Sequence, residues 1–405
     1  MYNLHLSAEQ LEIRDTVRDF VAQEIKPYAE TPARMEALDR SLPPDVLARA
    51  SQMGLRGLAL SEDAGGAGAD GLTACIVAEE LAFGDPDLAA TLVETSLLAR
   101  MFEQWMTPAQ RERHLGAFLD DDGFHLAFAD HEPGADTSLG VNYHRAQRHD
   151  AAPRTTAVRS GTEWVLNGTK DCVANAPLAK LLAVTALADG GAVRTVLVPR
   201  DTPGLTVKAY GTTGARQHGA CGEVTFADCR VGADQALAAD ASAYQARRAT
   251  LLAAINLGIG RAAHEAAIAY AQLRVQGGRP IVQHQAIALK LADMATTLQV
   301  ARGAVWQAAW ALDNPQAQSD RSLADLPLPM IARAFTAETV YRATKDAAEC
   351  FGAMGVMRDM PLQKFIQDAR ICLHVGEGVS DAKLTIAEAL IGYRRFPAAT
   401  ARAAE

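Results

Sequence analysis

The sequence predicts an α+β protein made of an N-terminal helical domain, a middle antiparallel β domain and a C-terminal four-helix bundle. Apolar residues recur at helical spacing towards both ends of the chain, whereas short β-rich runs separated by glycine turns occupy the middle. The chain has 405 residues, which is too long for one ordinary core and suits two or three domains. We place the domains at residues 1–120, 121–235 and 236–405.

The first domain begins with a helix signal. Ser7 and Gln10 have the spacing of a capping box, in which each side chain bonds the backbone N–H of the other residue. Pro27 ends the apolar pattern that follows, because proline cannot continue a helix. The apolar residues on one face of this helix are Ile13, Val17, Phe20, Val21 and Ile25.

The middle domain is predicted from short runs rich in β-formers. A turn at Ser160-Gly161 separates residues 155–158 from residues 164–166. Gly190-Gly191 separates two further runs, as in a hairpin. These two runs are residues 181–184 and 195–198, and later strands are expected at residues 205–207 and 223–226.

The last domain is alanine-rich and helical. Its apolar spacing predicts helices over residues 243–275, 281–313, 330–352 and 378–393. The proline-containing stretch at residues 314–329 connects two of them, as in other helix bundles.

Composition and charge exclude several classes of protein. The net charge is −9, so we expect neither nucleic-acid binding nor attraction to an anionic membrane surface. No apolar run approaches the roughly 20 residues of a membrane helix, and the N-terminus lacks the features of a signal peptide. The six cysteines form no C-x-x-C pair, and no histidine pair has metal-ligand spacing. We therefore expect a cytoplasmic protein without a metal site.

Four segments give the strongest functional signal. They are A-F-A-D-H-E-P-G-A-D at residues 127–136, W-V-L-N-G-T-K at 164–170, Y-A-Q-L-R at 270–274 and V-Q-H-Q-A-I at 282–287. In this order and at these intervals they resemble the motifs of the acyl-CoA dehydrogenase family of flavoproteins. The resemblance implies that FAD binds in a crevice between the β domain and the bundle, and that a neighbouring subunit helps to hold it.

The resemblance assigns flavin contacts to the first two segments and the residues just after them. Phe128 stands where the family usually has an aromatic residue in the segment that holds the flavin, and Asp130 and His131 occupy the ring-contact positions. Cys172 stands where the family has an aromatic residue against the flavin. Ala174 replaces the Thr or Ser that bonds the flavin N5, so a hydrogen bond worth about 1 kcal/mol is lost. We interpret this change as a site reshaped for an unusual acyl group; a degenerate site is the alternative.

The resemblance places the other cofactor contacts in the bundle. Arg274 is the candidate for the FAD pyrophosphate of a partner subunit, because a planar guanidinium matches phosphate oxygens. The glycine-containing segment at residues 350–355 resembles the family's turn that borders the FAD. A helix C-cap is an equally good interpretation of this segment. The remaining cofactor positions are Gln276, His284, Gln285, Glu349, Gly352 and Ala353.

Glu377 is the candidate catalytic base. In the family, an R-D-A-[K/R] motif is followed a few residues later by the catalytic glutamate of an E-G-[T/S]-[S/T] motif. Counting without gaps from Asp368 puts Gly376 at the position of that glutamate. A one-residue insertion in the preceding turn would put Glu377 there instead. The alternative is an ordinary acidic residue near a helix start. The candidate substrate ligands are Thr137, for CoA, and Arg247 or Arg248, for a CoA phosphate or an acidic acyl group; solvated arginines are the alternative.

The resemblance implies an FAD-dependent acyl-CoA dehydrogenase that desaturates the α,β bond of a branched, cyclic or aromatic acyl-CoA thioester. A carboxylate removes the α-proton and the flavin accepts a hydride. An electron-transferring flavoprotein as acceptor, and a homotetramer or homodimer, also follow from the resemblance. Two alternatives remain. One is a flavoprotein of this fold that performs elimination or oxygenation, and the other is a non-catalytic subunit in a hetero-oligomer with an active homologue.

Overall fold

The structure is a computed structural model that describes residues 5–35, 40–133, 153–211, 217–375 and 378–392. These residues form a group of helices, then a β-sheet, then a second group of long helices. The predicted α+β architecture is confirmed. Among the described residues, no helix has the length and apolar character needed to cross a membrane.

The N-terminal helices contain the predicted capping box. The Gln10 N–H donates to Ser7 Oγ at 3.1 Å, and the Ser7 N–H donates to Gln10 Oε1 at 3.0 Å. One π-helical turn, Val21–Ile25, continues the first helix. The helices are α1 (Ala8–Phe20), α2 (Lys26–Ala29), α3 (Pro32–Met35), α4 (Pro44–Gln52), α5 (Gly71–Gly84), α6 (Pro86–Trp105) and α7 (Pro108–Asp120).

The middle of the chain forms a mostly antiparallel sheet. Its strands are β1 (His125–Ala129), β2 (Thr156–Ser160), β3 (Glu163–Ala174), β4 (Ala179–Ala188), β5 (Val193–Pro199), β6 (Leu205–Ala209), β7 (Cys221–Gly232) and β8 (Ala236–Leu237). Their order is β6-β7-β3-β2-β4-β5-β8, with β1 beside β4. The pairings of β4 with β1 and with β2 are parallel. The predicted hairpin is confirmed, since Leu182 pairs with Val198 across antiparallel β4 and β5.

The C-terminal part is built around one long helix. Its elements are α8 (Ala241–Leu273), β9 (Val275–Gln276), β10 (Arg279–Pro280), α9 (Gln285–Asp313), α10 (Gln316–Ser319), α11 (Leu328–Phe351), α12 (Leu362–Cys372) and α13 (Gly378–Ile391). The helix α8 packs against α5, α6, α9, α11 and α12. Gly258 allows a close approach of α8 to α5, because a Cβ there would lie 2.4 Å from the Glu79 carbonyl oxygen of α5.

Candidate active site

A cavity lies where α6, α8 and the end of β3 meet, with ≈ 380 Å³ of empty space including its open mouth. Aliphatic side chains of α6 and α8 form much of its wall, and Ala174 and Val375 also contribute. Such a wall excludes water from a bound ligand and strengthens electrostatic interactions inside. The polar part of the wall consists of Glu94, Asn175, His218 and Arg248.

The segment that follows β1 is fixed against the end of β3. The Asp171 N–H donates to His131 O at 3.0 Å. The fully buried Lys170 donates through Nζ to Asp130 O at 3.2 Å and to Glu132 Oε1 at 2.9 Å. Burial opposes the charged form of Glu132, but hydrogen bonds from backbone N–H groups and from Lys170 hold its pKa at about 2. The predicted ring-contact residues therefore lie beside β3 in a fixed position.

The end of β3 has an unusual backbone. Cys172 has a φ of 52° and Asn175, directly after the strand, has a φ of 60°, a left-handed conformation that is uncommon outside glycine. The Asn175 side chain donates to Thr91 O and to Thr95 Oγ1, each at 3.0 Å. These bonds fix the end of β3 to α6, and they hold Ala174 in the cavity wall, where its methyl group offers no hydrogen bond.

The ring of Phe128 belongs to the hydrophobic core. It meets the ring of Tyr244 edge-on at a centroid distance of 4.8 Å and that of Trp105 at 5.7 Å. Only 3% of Phe128 is exposed. The side chain thus packs β1 against α6 and α8.

Glu94 and Arg248 form a partly buried ion pair in the cavity wall. The Arg248 Nε–H donates to Glu94 Oε2 at 3.0 Å, and the Tyr244 hydroxyl donates to the other Glu94 oxygen. Burial opposes the charged guanidinium, but the carboxylate of Glu94 raises the pKa of Arg248. Burial also raises the pKa of Tyr244, and the carboxylate of Glu94 adds to this shift. Arg248 is therefore charged, and Tyr244 is a neutral donor.

His218 is a second charged group in the cavity wall. Its Nδ1 lies 3.0 Å from Asp87 Oδ1, and its Nε2 lies 3.0 Å from Asp368 O. Burial opposes the charged imidazole, but the hydrogen bond with Asp87 raises the pKa of His218 to about 10. No motif in the sequence indicates His218 or Glu94 as a site residue. Both lie outside the four motif segments, and only the tertiary fold brings them to the cavity.

Arg247 lies on a different side of α8 from Arg248. It donates to Asp313 Oδ1 at 2.8 Å, and the same oxygen accepts from Arg100 at 3.3 Å. Arg247 and Arg100 border a second, largely aliphatic cavity with ≈ 560 Å³ of empty space including its mouth. The two cavities share the side chains of Val93, Leu97 and Leu251.

The cofactor residues predicted in the bundle lie at the far end of α8. Arg274 is 26 positions after Arg248 (274 minus 248), so at about 1.5 Å per residue the two are separated by about 39 Å along the helix. Arg274 is exposed, and its Nη2 lies 3.4 Å from Gln276 Oε1. The rings of Tyr270 and Phe351 stack with centroids 4.0 Å apart, so the ends of α8 and α11 meet there.

The remaining predicted positions lie around this end of the bundle. His284 precedes α9, and its Nε2 lies 3.0 Å from Gln276 O. Gly352 follows α11 with a φ of 58°, which favours glycine. Gln285, Glu349, Gly352 and Ala353 are all exposed. The structure thus separates the predicted cofactor residues into two groups near opposite ends of α8.

Two predicted site residues, Glu377 and Thr137, lie outside the described residues, as does Gly376. Val375, which precedes Gly376 in sequence, lines the first cavity. Its carbonyl oxygen accepts from Arg333 Nη2 at 3.0 Å.

Family models match three successive parts of the chain. They are described as the N-terminal, middle and C-terminal domains of acyl-CoA dehydrogenase, and they match residues 7–122, 145–229 and 241–391. The chain belongs to the acyl-CoA dehydrogenase family.

Individual members of the acyl-CoA dehydrogenase family match nearly the whole chain. It is 31% identical to the probable acyl-CoA dehydrogenase YngJ of Bacillus subtilis (strain 168), over 96% of this chain and 100% of that protein. It is also 31% identical to the benzylmalonyl-CoA dehydrogenase of Aromatoleum aromaticum, over 95% of this chain and 98% of that protein. The solved structure of butyryl-CoA dehydrogenase from Megasphaera elsdenii is similar with a TM-score of 0.81 and 26% identity, over 96% and 100% of the two chains.

As an acyl-CoA dehydrogenase, the protein is an FAD-dependent oxidoreductase. The described residues fit a flavin beside the ends of β1 and β3. His131 Nδ1 is buried and makes no hydrogen bond within the described ranges. Because buried polar atoms are nearly always paired, the hydrogen-bonding edge of a flavin ring is a suitable partner for it.

Proposed function

We propose that the protein desaturates the α,β bond of an acyl thioester, with Glu377 as the base that removes the α-proton. The observation that carries this proposal is the first cavity. It borders Ala174, at the end of β3, and Val375, which is two residues before Glu377 in sequence. In this proposal Glu377 acts on a thioester bound in that cavity.

The residues of this chain would bind the thioester and move one proton. An α-proton beside a thioester is weakly acidic, so hydrogen-bond donors must stabilise the negative charge that develops on the carbonyl oxygen. A carboxylate in a site sheltered by aliphatic walls has its pKa raised towards neutral, as a general base requires. FAD, when bound, accepts the hydride from the β-carbon.

The cofactor would be held by two chains. Asp130, His131, Cys172 and Ala174 would border the flavin ring in one chain, with Phe128 supporting their strand. Because about 39 Å of helix separates Arg248 from Arg274, a second copy would supply the contacts at the far end. These are Arg274, Gln276, His284, Gln285, Glu349, Gly352 and Ala353, and Thr137 would contact the CoA moiety.

A bulky acyl group (branched, cyclic or aromatic) suits the shape of this region. Val93, Leu97 and Leu251 separate the first cavity from the second one of ≈ 560 Å³. Small rearrangements of three aliphatic side chains would join the two spaces. A relative with 31% identity is named benzylmalonyl-CoA dehydrogenase, which supports the same class of acyl group.

Two partners complete the proposal. A second copy of the chain is needed for the FAD site, as a homodimer or homotetramer. An electron-transferring flavoprotein would reoxidise the flavin, because each turnover leaves an electron pair that must pass to an acceptor.

The test is an anaerobic titration of the yellow holoprotein with a panel of acyl-CoA thioesters. Bleaching of the flavin absorbance shows hydride transfer. We expect Glu377→Gln to bind FAD normally and to lose bleaching by at least about 100-fold, the lower range for a general base. The matched control is Glu338→Gln, since Glu338 is half exposed and pairs with Lys383.

Normal bleaching by Glu377→Gln would remove Glu377 from the mechanism. A protein that holds FAD but is bleached by no acyl-CoA favours the altered chemistry, for which the missing hydroxyl at Ala174 is the supporting observation. A colourless protein that takes up no FAD favours the non-catalytic subunit.

A further inference from the structure

The guanidinium of Arg248 has unused hydrogen-bonding capacity in the wall of the first cavity. Within the described part of the chain, its one hydrogen bond runs from Nε–H to Glu94 Oε2 at 3.0 Å. Its two terminal nitrogens make no hydrogen bond to any described residue. The side chain is 18% exposed and lines the cavity, so these N–H groups are open to a ligand there.

Glu94 does not bond those remaining donors, because it meets Arg248 through the Nε–H alone. One of its oxygens accepts from Arg248 and the other accepts from the Tyr244 hydroxyl. Asp130 is a more distant negative charge, and its carboxylate accepts from the Gln245 side chain at 3.3 Å. His218, the other cation of the wall, is bonded at both ring nitrogens. Arg248 is therefore the cation that can accept a new anionic partner.

Arg333 adds a further positive charge that makes the region more favourable for an anion. Arg333 is 3% exposed, and its Nη1 is buried without a partner in the described part of the chain. Burial lowers the pKa of Arg333, and the positive charge of Arg248 lowers it further. Arg333 also lies next to the cavity wall, since its Nη2 donates to the carbonyl oxygen of Val375 at 3.0 Å. An anion bound at Arg248 would therefore offset the repulsion between the two guanidinium groups.

We propose that the acyl group of the substrate carries a second, free carboxylate, and that Arg248 binds it through its two terminal nitrogens. This inference rests on the proposed desaturation of an acyl thioester. A carboxylate matches the planar fork of a guanidinium, so both oxygens bond at once. The substrate class is then a dicarboxylic acyl thioester whose apolar part occupies the aliphatic remainder of the cavity.

A CoA phosphate fits this position less well. The partly buried guanidinium lies between α6 and α8, in a wall that is otherwise largely aliphatic and includes Leu251 and Leu252. A phosphate carries more charge than a carboxylate and would need several cations to replace its hydration. Arg247, the adjacent arginine, bonds Asp313 instead.

The test compares matched ligands that cannot react. Thioether analogues of acyl-CoAs lack the carbonyl that makes the α-proton acidic, so their binding to the holoprotein can be measured by calorimetry. The pairs are succinyl with butyryl, glutaryl with valeryl, and an arylalkylmalonyl group with its methyl counterpart. Within a pair, only a carboxylate and a methyl group differ. We expect the carboxylate ligand of at least one pair to bind about 10- to 100-fold more tightly.

Variants identify the residue responsible. In the double variant Glu94→Gln/Arg248→Gln both charges are removed while neutral amides remain, so no buried charge is left unpaired. We expect its preference for the carboxylate ligand to fall to about onefold. Arg248→Lys keeps the charge without the fork and should keep only part of the preference. Arg230→Gln, at an exposed pair with Glu163, is the matched control and should keep all of it.

Equal binding within every pair, or a preference that survives in the double variant, overturns the inference. Flavin bleaching separates this result from a failure of the proposed function. If a neutral acyl-CoA bleaches the flavin and its carboxylate counterpart does not, desaturation stands and the inference is overturned. If carboxylate ligands show the Arg248-dependent preference but no acyl-CoA bleaches the flavin, the inference about the ligand is supported and desaturation is not.

Discussion

His218 joins the three parts of the chain through its two ring nitrogens. It precedes β7 of the sheet, Asp87 belongs to α6, and Asp368 belongs to α12. Its pKa is raised from the ordinary value of 6.5 to about 10, so the folded protein keeps a proton that the unfolded chain releases above pH 6.5. The charged imidazole therefore stabilises the folded state fully below pH 6.5, and this contribution is lost as the pH rises towards 10.

Replacing His218 should remove this pH dependence. We expect the free energy of unfolding of the wild type to fall between pH 6.5 and pH 10, by up to about 1.4 kcal/mol per pH unit from this group. His218→Gln keeps a donor for Asp87 but has no titrating group, so the difference between the two proteins should shrink as the pH rises. Urea unfolding at pH 6, 7, 8 and 9 measures it; parallel curves for the two proteins would contradict the prediction.

The sequence alone does not predict which of two adjacent arginines faces the site. Arg247 and Arg248 are equivalent candidates in the sequence, because both occur in the same helical turn. Successive residues on a helix point about 100° apart, so one bonds Asp313 beside the second cavity and the other bonds Glu94 in the first. Local spacing cannot show which side of α8 faces the site, since that depends on how α6 and α9 pack.

Local signals predicted the elements better than their contacts. The spacing of Ser7 and Gln10 predicts the start of α1, and Gly190-Gly191 predicts the turn between β4 and β5, because each depends on a few neighbouring residues. The left-handed Cys172 and Asn175 could not be predicted in this way. The conformation of Asn175 is held by its side-chain bonds to Thr91 and Thr95, which are far away in sequence.

Two helical glycines should respond in opposite ways to the same substitution. At Gly258 of α8, a Cβ would lie 2.4 Å from Glu79 O and 2.8 Å from Phe83 N of α5. Gly258→Ala should therefore force α5 and α8 apart and destabilise the protein by about 1–3 kcal/mol. At Gly303 of α9, a Cβ would meet nothing within 4 Å, so Gly303→Ala should stabilise the protein by about 0.5–1 kcal/mol through helix propensity.

Urea unfolding of the two variants measures both effects. Gly303→Ala is the control for the general effect of an added methyl group on a helix. If Gly258→Ala were as stable as Gly303→Ala, the close contact between α5 and α8 would be absent in solution.

At the scale of the whole molecule, apolar side chains remain uncovered on the helical bundle. Leu273, Val275, Leu289, Val300, Val356, Leu390 and Ile391 are each more than half exposed. Leu289 and Val300 are 11 positions apart (300 minus 289), which is close to three turns, so both lie on one face of α9. Apolar groups on such a surface commonly mark an interface between proteins.

We expect the double variant Leu289→Glu/Val300→Glu to separate the proposed homodimer or homotetramer into monomers. A carboxylate buried without a partner in an interface costs several kcal/mol, and the monomers should also lose FAD because Arg274 of a second copy is then missing. Light scattering after size exclusion measures the mass, and the visible spectrum measures bound FAD. Val158→Glu/Val193→Glu, at exposed positions of the sheet, is the control. A monomeric wild type, or monomers of the variant that keep FAD, would contradict the shared cofactor site.

The length of α8 also bears on mixed assemblies. Suppose that every chain supplies one end of this helix to its own cofactor pocket and the other end to the pocket of its neighbour. A substitution at one end of one chain then disables only one of the two pockets in a dimer. A mixed dimer of two variants with substitutions at opposite ends would combine the two unaltered ends in one complete pocket. A dimer of two chains with the substitution at the same end could not do so, because each of its pockets would contain an altered end.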